Sequence, residues 1–204
     1  MLDRWTLTAV KPLLKRSAAT CNRLGLSANQ ITLAGFLVGM TSLPLLALEL
    51  YSWAFIAIVL NRLADGIDGE LARLQGATDA GAYLDIALDF VFYATVIAGF
   101  ALADSGNNAL AAAFLLLGFM GTGCSFLAFA IMAERRGLQK MNYPGKGFYY
   151  LGGITEGTET IAFLLLMCLF PGIFAPLAWV FFALCALTTM TRVVGGYHTL
   201  SQQK

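Results

Sequence analysis

The sequence is poor in charged residues and has no cluster of cysteines or histidines. Of its 204 residues, 12% are charged and 58% are hydrophobic, whereas about 25% of the residues of a soluble globular domain are charged. The four cysteines form no CxxC pair and the chain has one histidine, so neither a zinc site nor a disulfide framework is expected. The formal net charge is +1, and we expect no nucleic-acid partner. The composition indicates a membrane protein.

Lysine and arginine are absent from three long stretches, residues 24–61, 74–134 and 147–191. A transmembrane helix needs about 20 predominantly apolar residues, so each stretch has room for one or two membrane crossings. When the chain is divided into six spans, every lysine and arginine falls on the same side. By the positive-inside rule this side is cytoplasmic, and both termini lie there.

The predicted fold is all-α and polytopic, with six transmembrane helices and an N-terminal interfacial helix. We expect one domain over residues 1–204, in which 1–25 form the interfacial helix and 26–197 form the membrane core. The basic and apolar side chains of the first segment suit a helix lying on anionic headgroups. The spans are placed at about 31–48, 53–73, 81–103, 109–133 and 147–170, followed by a sixth that ends near Arg192.

Four aspartates interrupt the second and third predicted spans. Asp65 and Asp68 are three residues apart, and Asp85 and Asp89 are four apart, so each pair shares one face of its helix. A short turn makes the two helices antiparallel neighbours, which lets the pairs converge. An ionised Asp near the centre of a bilayer costs about 2.5–3.5 kcal/mol or more, and divalent cations would neutralise such a group. Carboxylate oxygens favour Mg²⁺, Mn²⁺ or Ca²⁺ over zinc.

Glycines and an arginine accompany the aspartates. Gly66 and Gly69 lie beside the first pair, and Gly81 precedes the second pair. Because glycine has no side chain, a bulky ligand could approach the backbone there. Arg73 can bind a phosphate through two parallel hydrogen bonds. This combination suits a diphosphate substrate, because metals would neutralise its bridging and departing oxygens while a spare carboxylate takes a proton from the nucleophile.

These residues form one pattern, which reads Asp65-x2-Asp68-Gly69-x2-Ala72-Arg73, then seven residues, then Gly81-x3-Asp85-x3-Asp89. The pattern is similar to the signature of the CDP-alcohol phosphotransferases, also called CDP-alcohol phosphatidyltransferases. The resemblance implies a homodimeric integral membrane enzyme that attacks a CDP-activated lipid or alcohol and releases CMP.

The resemblance also implies roles for individual residues. Asp65, Asp68 and Asp85 resemble the family's metal ligands, and Asp89 resembles a ligand that also acts as general base on the acceptor hydroxyl. Two divalent ions, Mg²⁺ or Mn²⁺, are expected per site. The positions that resemble the binding wall for the cytidine diphosphate are Gly66, Gly69, Ala72, Arg73 and Gly81, with Asn29 and Thr32. The family often has Pro-Asn before the first span, where this chain has Ala28-Asn29.

Two glutamates lie three residues apart on the predicted fifth span. Glu156 and Glu159 would share a helix face, and would form an acceptor pocket opposite the metals, together with Lys146. The other reading of the glutamates is a polar contact between helices. Lys146 belongs to a basic loop that could hold an acceptor phosphate, but the positive-inside rule alone also accounts for its position.

The function expected from these features is transfer of a phosphatidyl group from CDP-diacylglycerol to an alcohol, in the inner (cytoplasmic) membrane and with the active site facing the cytoplasm. A CDP-choline or CDP-ethanolamine type reaction, in which diacylglycerol is the acceptor, is the alternative within the family. A membrane prenyltransferase also uses aspartates and Mg²⁺, but carries its second motif on a distant repeat. A divalent-cation transporter explains the carboxylates but not the Ala72-Arg73 pair, and would be expected to have internal repeats. These features do not distinguish between acceptor alcohols.

Overall fold

The computed structural model describes residues 3–137 and 153–202, and all regular structure within these ranges is helical. The helices are α1 (Asp3–Arg23), α2 (Ala28–Met40), α3 (Ser42–Ala47), α4 (Tyr51–Gln75), α5 (Asp79–Ala103), α6 (Ser105–Arg135), α7 (Gly157–Leu169) and α8 (Phe174–Gln202), with a 3₁₀ turn at Pro171–Ile173. The prediction of an all-α fold is therefore confirmed for the described residues.

Four segments of the described chain are long and apolar enough to cross a membrane. They are Ala28–Ala47, Asp79–Ala103, Ser105–Arg135 and Pro171–Ser201. The helix α4 has 25 residues, as α5 does, but its charged second half keeps it out of this set. The membrane-spanning character of the chain is confirmed, whereas the count of six spans stays a prediction.

The first predicted span consists of two helices, α2 and α3, with Thr41 as the residue between them. Pro44 lies in the first turn of α3. Proline has no backbone N–H and its ring clashes with the carbonyl of the residue four positions before it. A single continuous helix through Met40 and Pro44 is therefore unfavourable, and the break falls between them.

The fifth predicted span is wrong in its first half, as far as the structure describes it. Residues 147–152 lie outside the described ranges, Gly153 to Glu156 are not helical, and α7 begins only at Gly157. Thr155 explains the late start, because its backbone N–H and its hydroxyl both donate to the Thr188 hydroxyl of α8, at 3.1 and 3.0 Å. The segment before α7 is thus tied to α8.

The sixth predicted span ends too early. We placed its end near Arg192, but α8 continues to Gln202. Val193, Val194 and Tyr197 follow Arg192 and are exposed apolar side chains, and no proline interrupts them. A buried arginine within an apolar sequence does not end a helix, because its side chain finds partners inside the bundle.

The helices pack in two groups that share α5. The first group comprises α2, α3, α4 and α5, with α1 and α7 packed against α4, and the second comprises α5, α6 and α8. The largest fully buried side chains are Phe92 and Phe100 of α5 and Phe174 and Phe181 of α8. The rings of Phe100 and Phe174 are stacked with their centroids 4.7 Å apart, so aromatic packing joins the groups at the core.

The small residues of α6 serve packing within the chain. A Cβ atom at Gly118 would lie 3.0 Å from Cβ of Cys185, and one at Gly121 would lie 2.9 Å from Oγ1 of Thr189, both on α8. A Cβ atom at Gly123 would lie 2.7 Å from the Phe90 ring of α5. These glycines let α6 approach its neighbours closely, so they are not free to form a dimer interface.

The N-terminal helix α1 lies against the second half of α4, where Leu14 and Ala18 are buried. The turn between α1 and α2 contains Gly25, whose φ of +75° is a left-handed conformation that favours glycine. Gln75, at the end of α4, accepts a hydrogen bond from the Ala28 N–H and donates to the Leu26 carbonyl, at 3.2 and 2.8 Å. The first turn of α2 is thereby fixed beside the end of α4.

Candidate active site

The four aspartates line one cavity between the second half of α4 and the first half of α5. Both helices pack more extensively on α2 and α3 than on each other, so a gap remains between them, and α2 closes one side of it. The cavity is lined by Thr32, Gly35, Phe36, Asn61, Arg62, Asp65, Asp68, Asp85, Leu88 and Asp89. The predicted convergence of the two aspartate pairs is therefore present in the fold.

Three of the carboxylates form a compact group, which we call the three-aspartate cluster: Asp65, Asp68 and Asp85. One oxygen from each residue lies within 4.8 Å of the others. Asp68 is buried, and its Oδ2 has no hydrogen-bond partner among the described residues. A buried carboxylate oxygen without a partner is costly, whereas hard divalent cations bind such oxygens. The cluster therefore fits a divalent metal ion.

The fourth carboxylate, Asp89, lies outside the three-aspartate cluster and is bound to an arginine. Nη2 of Arg62 donates to its Oδ1 at 2.6 Å, and the Tyr93 hydroxyl donates to its Oδ2 at 3.2 Å. Arg62 also lies 3.6 Å from an oxygen of Asp65. Both oxygens of Asp89 thus have protein partners, which distinguishes it from Asp68.

The Arg62 guanidinium is held from several sides. Its Nε donates to Oδ1 of Asn61 at 2.8 Å, and its Nη1 donates to the Tyr93 hydroxyl at 3.1 Å. Its central carbon lies 5.0 Å from the ring centroid of Phe92 and 5.4 Å from that of Tyr93, within the range of a cation–π contact. These contacts leave the guanidinium little freedom to move.

Asn61 and Tyr93 hold the Arg62–Asp89 pair in place, although the sequence alone predicts no role for either residue. Nδ2 of Asn61 donates to the carbonyl of Gly35 at 3.0 Å, so one amide joins α2 to Arg62. A Cβ atom at Gly39 would lie 2.8 Å from Nδ2 of Asn61, which requires glycine at that crossing. Tyr93 is four residues after Asp89, so its i, i+4 spacing is a sequence signal for this contact.

The residues proposed for the nucleotide wall have different surroundings. The space beside Gly69 is open, whereas a Cβ atom at Gly66 would lie 2.9 Å from Leu14 of α1. A Cβ atom at Gly81 would lie 3.0 Å from Oδ1 of Asn29. Thus Gly69 leaves room beside the backbone, Gly66 serves the packing of α1, and Gly81 lets Asn29 approach the start of α5.

Three further wall residues lie near the same end of the helices. Thr32 lines the cavity with the aspartates, Ala72 is half-buried, and Arg73 is exposed. Nη1 of Arg73 donates to Oε1 of Glu70 at 2.6 Å. Glu70 is buried, so this ion pair holds the arginine by one edge of its guanidinium. The other edge has no hydrogen-bond partner within residues 3–137 and 153–202 and could bind a ligand.

A family model for the CDP-alcohol phosphatidyltransferases matches residues 26–194 of the chain. The chain belongs to the CDP-alcohol phosphatidyltransferase family. It is therefore a membrane enzyme of phospholipid synthesis, as the pattern of aspartates and glycines predicted. The matched range begins just before α2 and ends within α8, so it includes the cavity and all of its lining residues.

The relatives of this CDP-alcohol phosphatidyltransferase include one of nearly the same length. The inner membrane protein YnjF of Escherichia coli strain K12 is 52% identical over 200 residues, which are 98% of this chain and 97% of that protein. The archaetidylinositol phosphate synthase of Pyrococcus horikoshii is 33% identical over 94 residues, which are 46% of this chain and 50% of that protein.

Solved structures with the same fold come from the phosphatidylinositol phosphate synthase PgsA1 of Mycobacterium tuberculosis. Its complex with CDP-DAG superposes with a TM-score of 0.74 at 19% identity, covering 91% of this chain and 94% of that one. Its complex with manganese and citrate gives a TM-score of 0.73 at 19% identity, covering 90% and 88%. At this identity the likeness establishes the fold.

The two glutamates predicted for the acceptor pocket, Glu156 and Glu159, lie at the start of α7 and not in its interior. Glu156 is the N-cap residue, and its backbone N–H donates to Oε2 of Glu159 at 3.2 Å in a capping box. The prediction that both glutamates lie on one face of a continuous helix is thus wrong, because Glu156 precedes the helix. Their part in an acceptor pocket stays a prediction, and Lys146 lies outside the described residues.

A second cavity lies between α6 and α8 and contains a buried arginine. Arg192 is 7% exposed, and its Nη1 donates to the Thr122 carbonyl at 3.2 Å. Its Nε is buried without a hydrogen-bond partner among the described residues. The cavity is lined by Ser125, Ala128, Phe129, Met132, Arg192, Val193, Gly196, Tyr197 and Leu200. From the sequence alone, Arg192 is predicted only to mark the end of the sixth span.

Proposed function

We propose that this enzyme transfers the phosphatidyl group of CDP-diacylglycerol to an alcohol and releases CMP. The observation that carries the proposal is the three-aspartate cluster, in which Oδ2 of Asp68 has no hydrogen-bond partner among the described residues. A fourth carboxylate, that of Asp89, lies beside the cluster and is fixed by Arg62. The CDP-DAG complex of PgsA1, which has the same fold, supports CDP-diacylglycerol as the donor.

The three-aspartate cluster would hold the divalent ion, Mg²⁺ or Mn²⁺. The manganese complex of PgsA1 and the purely carboxylate donor set support this choice. When bound, such an ion neutralises charge on the diphosphate oxygens and on the departing phosphate. A second ion, as the family resemblance implies, would need an oxygen of Asp89 as well.

Asp89 would act as the general base. It takes the proton of the acceptor hydroxyl, whose oxygen then attacks the phosphorus attached to diacylglycerol. The bond between that phosphorus and the bridging oxygen of the diphosphate breaks, and CMP leaves with the bridging oxygen. Because Arg62 and Tyr93 fix Asp89, the base is positioned before the acceptor arrives, which lowers the entropic part of the barrier.

The nucleotide would lie along the open side of α4. Gly69 leaves the backbone accessible, and Arg73 offers the free edge of its guanidinium. Asn29 and Gly81 lie together at the start of α5, and Thr32 faces the same cavity. Backbone and side-chain donors at these positions suit the cytidine and its first phosphate, while the second phosphate reaches the aspartates.

The acceptor would be an alcohol that carries a phosphate. Arg192 is a buried cation whose Nε has no hydrogen-bond partner among the described residues, and its Nη1 donates to the carbonyl of Thr122, which precedes Gly123. Gly123 packs against Phe90, the neighbour of Asp89. Thr122, Gly123 and Phe90 thus connect Arg192 to the helix that carries the proposed base. The archaetidylinositol phosphate synthase of Pyrococcus horikoshii and PgsA1, a phosphatidylinositol phosphate synthase, are named for products that contain inositol phosphate, which supports the same acceptor class.

We further propose that the protein is a homodimer in the inner membrane, with six spans, both termini and the active site on the cytoplasmic side. In this arrangement α4 and the segment that contains α7 cross the membrane as the second and fifth spans. The inner-membrane relative YnjF and the grouping of lysine and arginine residues on one side support this topology.

The test is CMP release from purified protein in detergent with CDP-diacylglycerol and Mg²⁺ or Mn²⁺. Inositol 1-phosphate, glycerol 3-phosphate, serine and inositol are added one at a time, with Asp89→Asn as the inactive control. We expect CMP only with a phosphorylated acceptor. Release with serine or inositol alone would overturn the acceptor assignment. Release from CDP-choline with diacylglycerol would identify the alternative reaction.

A further inference from the structure

We propose that Arg62 competes with the second divalent ion for Asp89. The enzyme would then bind one ion tightly at the three-aspartate cluster and a second ion much more weakly in the absence of substrate. This inference rests on the proposed function only in assuming that divalent ions occupy the aspartate site. It assigns a positioning role to a residue outside the family signature.

Both carboxylate oxygens of Asp89 already accept hydrogen bonds from protein groups. Its Oδ1 receives the Arg62 guanidinium at 2.6 Å, and its Oδ2 receives the Tyr93 hydroxyl at 3.2 Å. An ion that binds Asp89 must replace at least one of these hydrogen bonds. An ion at the three-aspartate cluster can bind Oδ2 of Asp68 without displacing a hydrogen bond, because that oxygen has no partner among the described residues.

The Arg62 guanidinium is held in place by residues other than Asp89 as well. The contacts that fix its guanidinium do not depend on Asp89 alone, because Asn61, Tyr93 and the ring of Phe92 also hold it. Asn61 in turn is anchored to the Gly35 carbonyl. If Asp89 turned toward an ion, the guanidinium would therefore stay in place.

The positive charge of Arg62 lowers the affinity of the site for a second cation. The guanidinium lies 2.6 Å from Asp89 and 3.6 Å from Asp65, so a positive charge already contacts one carboxylate of each helix at the place where a second ion would need Asp89. Two like charges about 4 Å apart repel strongly when they are partly buried. A second divalent ion would be repelled by Arg62 as well as by the first ion, so its affinity falls.

The experiment is a Mn²⁺ titration of the purified full-length protein in detergent. Electron paramagnetic resonance and calorimetry measure how many ions bind and how tightly. We expect one tight ion in the wild type and a second that binds at least about tenfold more weakly. In Arg62→Gln the second ion should bind about tenfold more tightly than in the wild type. Dipolar broadening of the resonance by two close Mn²⁺ ions should then appear at a lower Mn²⁺ concentration than in the wild type. Arg23→Gln, which removes an exposed arginine in the last turn of α1, should match the wild type in its Mn²⁺ affinities.

Two further variants keep the test decisive if Arg62→Gln folds poorly. Arg62→Lys retains the charge, and we expect its second ion to stay weak. Asp89→Asn should leave the affinity of the first ion unchanged. Two ions of equal affinity in the wild type, or a tenfold loss of the first ion in Asp89→Asn, would overturn the proposal. If no variant and no wild-type sample bound Mn²⁺ at all, the metal-dependent function itself would fail.

Discussion

Arg62 of α4 and Asp89 of α5 form a charged hydrogen bond of 2.6 Å across the gap between the two helices. Their side chains are 15% and 27% exposed, so the pair is partly shielded from water and weakly screened by salt. Because the two helices pack mainly on α2 and α3, this contact fixes the distance between the aspartates of one helix and those of the other. Substitutions that disturb Arg62 should therefore act on the site without large changes in the fold.

Asn61→Ala is expected to lower both stability and activity. It removes the hydrogen bond to the Gly35 carbonyl and the one from Nε of Arg62, each in a poorly solvated place. We expect a loss of about 1–3 kcal/mol in the free energy of unfolding and a fall of roughly tenfold in the rate of CMP release, because the base is less well positioned. Thermal unfolding and CMP assays measure the two effects.

The matched control is Asn108→Ala. Nδ2 of Asn108 also donates to a backbone carbonyl at 3.0 Å in a buried setting, that of Phe100, but at the opposite end of α5. Its loss should cost similar stability and leave the rate of CMP release per folded enzyme unchanged. Equal losses of activity in both variants would mean that Asn61 matters only for folding.

Asp68→Asn is expected to abolish tight metal binding and nearly all CMP release. Asp68 is the most buried member of the three-aspartate cluster, and an amide cannot replace the charge of its carboxylate. Because a bound metal supplies several kcal/mol of transition-state stabilisation, the rate should fall by about a hundredfold or more. Stability should not fall, since the variant removes a buried charge whose Oδ2 has no hydrogen-bond partner among the described residues.

The control for Asp68→Asn is Asp79→Asn, which makes the same chemical change at the exposed first turn of α5. It should retain wild-type Mn²⁺ affinity and CMP release. A Mn²⁺ affinity of Asp68→Asn equal to that of the wild type would exclude Asp68 as a ligand and require a different metal site.

The aspartate site could be predicted closely from the sequence, because helical spacing alone determines which side chains share a face. Asp65, Asp68 and Asp85 converge as expected, and Gly69 leaves the expected open space. The role of Gly66 could not be predicted, since it depends on Leu14, which comes from a helix about fifty residues earlier in the sequence. The same holds for Asn61, whose partner Gly35 lies on α2.

The fold was predicted well where apolar length decides the structure and less well where polar contacts do. The boundaries of α4, α5 and α6 differ from the predicted ones by a few residues. The start of α7 was missed because it depends on Thr155 and Thr188, which are far apart in the sequence. The end of α8 was missed because Arg192 finds a partner in Thr122 of α6, and hydropathy gives no information on such a partner.

Gly69→Val and Gly66→Val are expected to have opposite consequences. The space beside Gly69 is open, so valine there should leave stability unchanged and weaken the binding of CDP-diacylglycerol about tenfold by occupying the proposed nucleotide wall. Valine at Gly66 would collide with Leu14 and should cost about 1–3 kcal/mol of stability. Binding assays and thermal unfolding of both variants separate the two effects.

The Gly69 variant also tests the class of protein. If the protein were a cation transporter, it would not need an open backbone at this position, and Gly69→Val would leave Mn²⁺ uptake into proteoliposomes unaffected. For the enzyme, we expect the variant to weaken nucleotide binding. If nucleotide binding were also unaffected, the assignment of Gly69 to the nucleotide wall would be wrong, although the family membership would stand.

Gln75→Ala is expected to loosen α1 and the turn that follows it. Gln75 is bonded to Asn22, Leu26 and Ala28, so its side chain joins the end of α1 and the start of α2 to α4. Without it, the turn after Arg23 should open more often, and trypsin should cleave after Arg23 several-fold faster, since proteolysis follows local opening. Mass spectrometry of the fragments measures this rate. Asn22→Ala removes only the 3.0 Å contact from Nε2 of Gln75 and should give an intermediate rate. A rate for Gln75→Ala equal to that of the wild type would mean that the burial of Leu14 and Ala18 alone holds α1 in place.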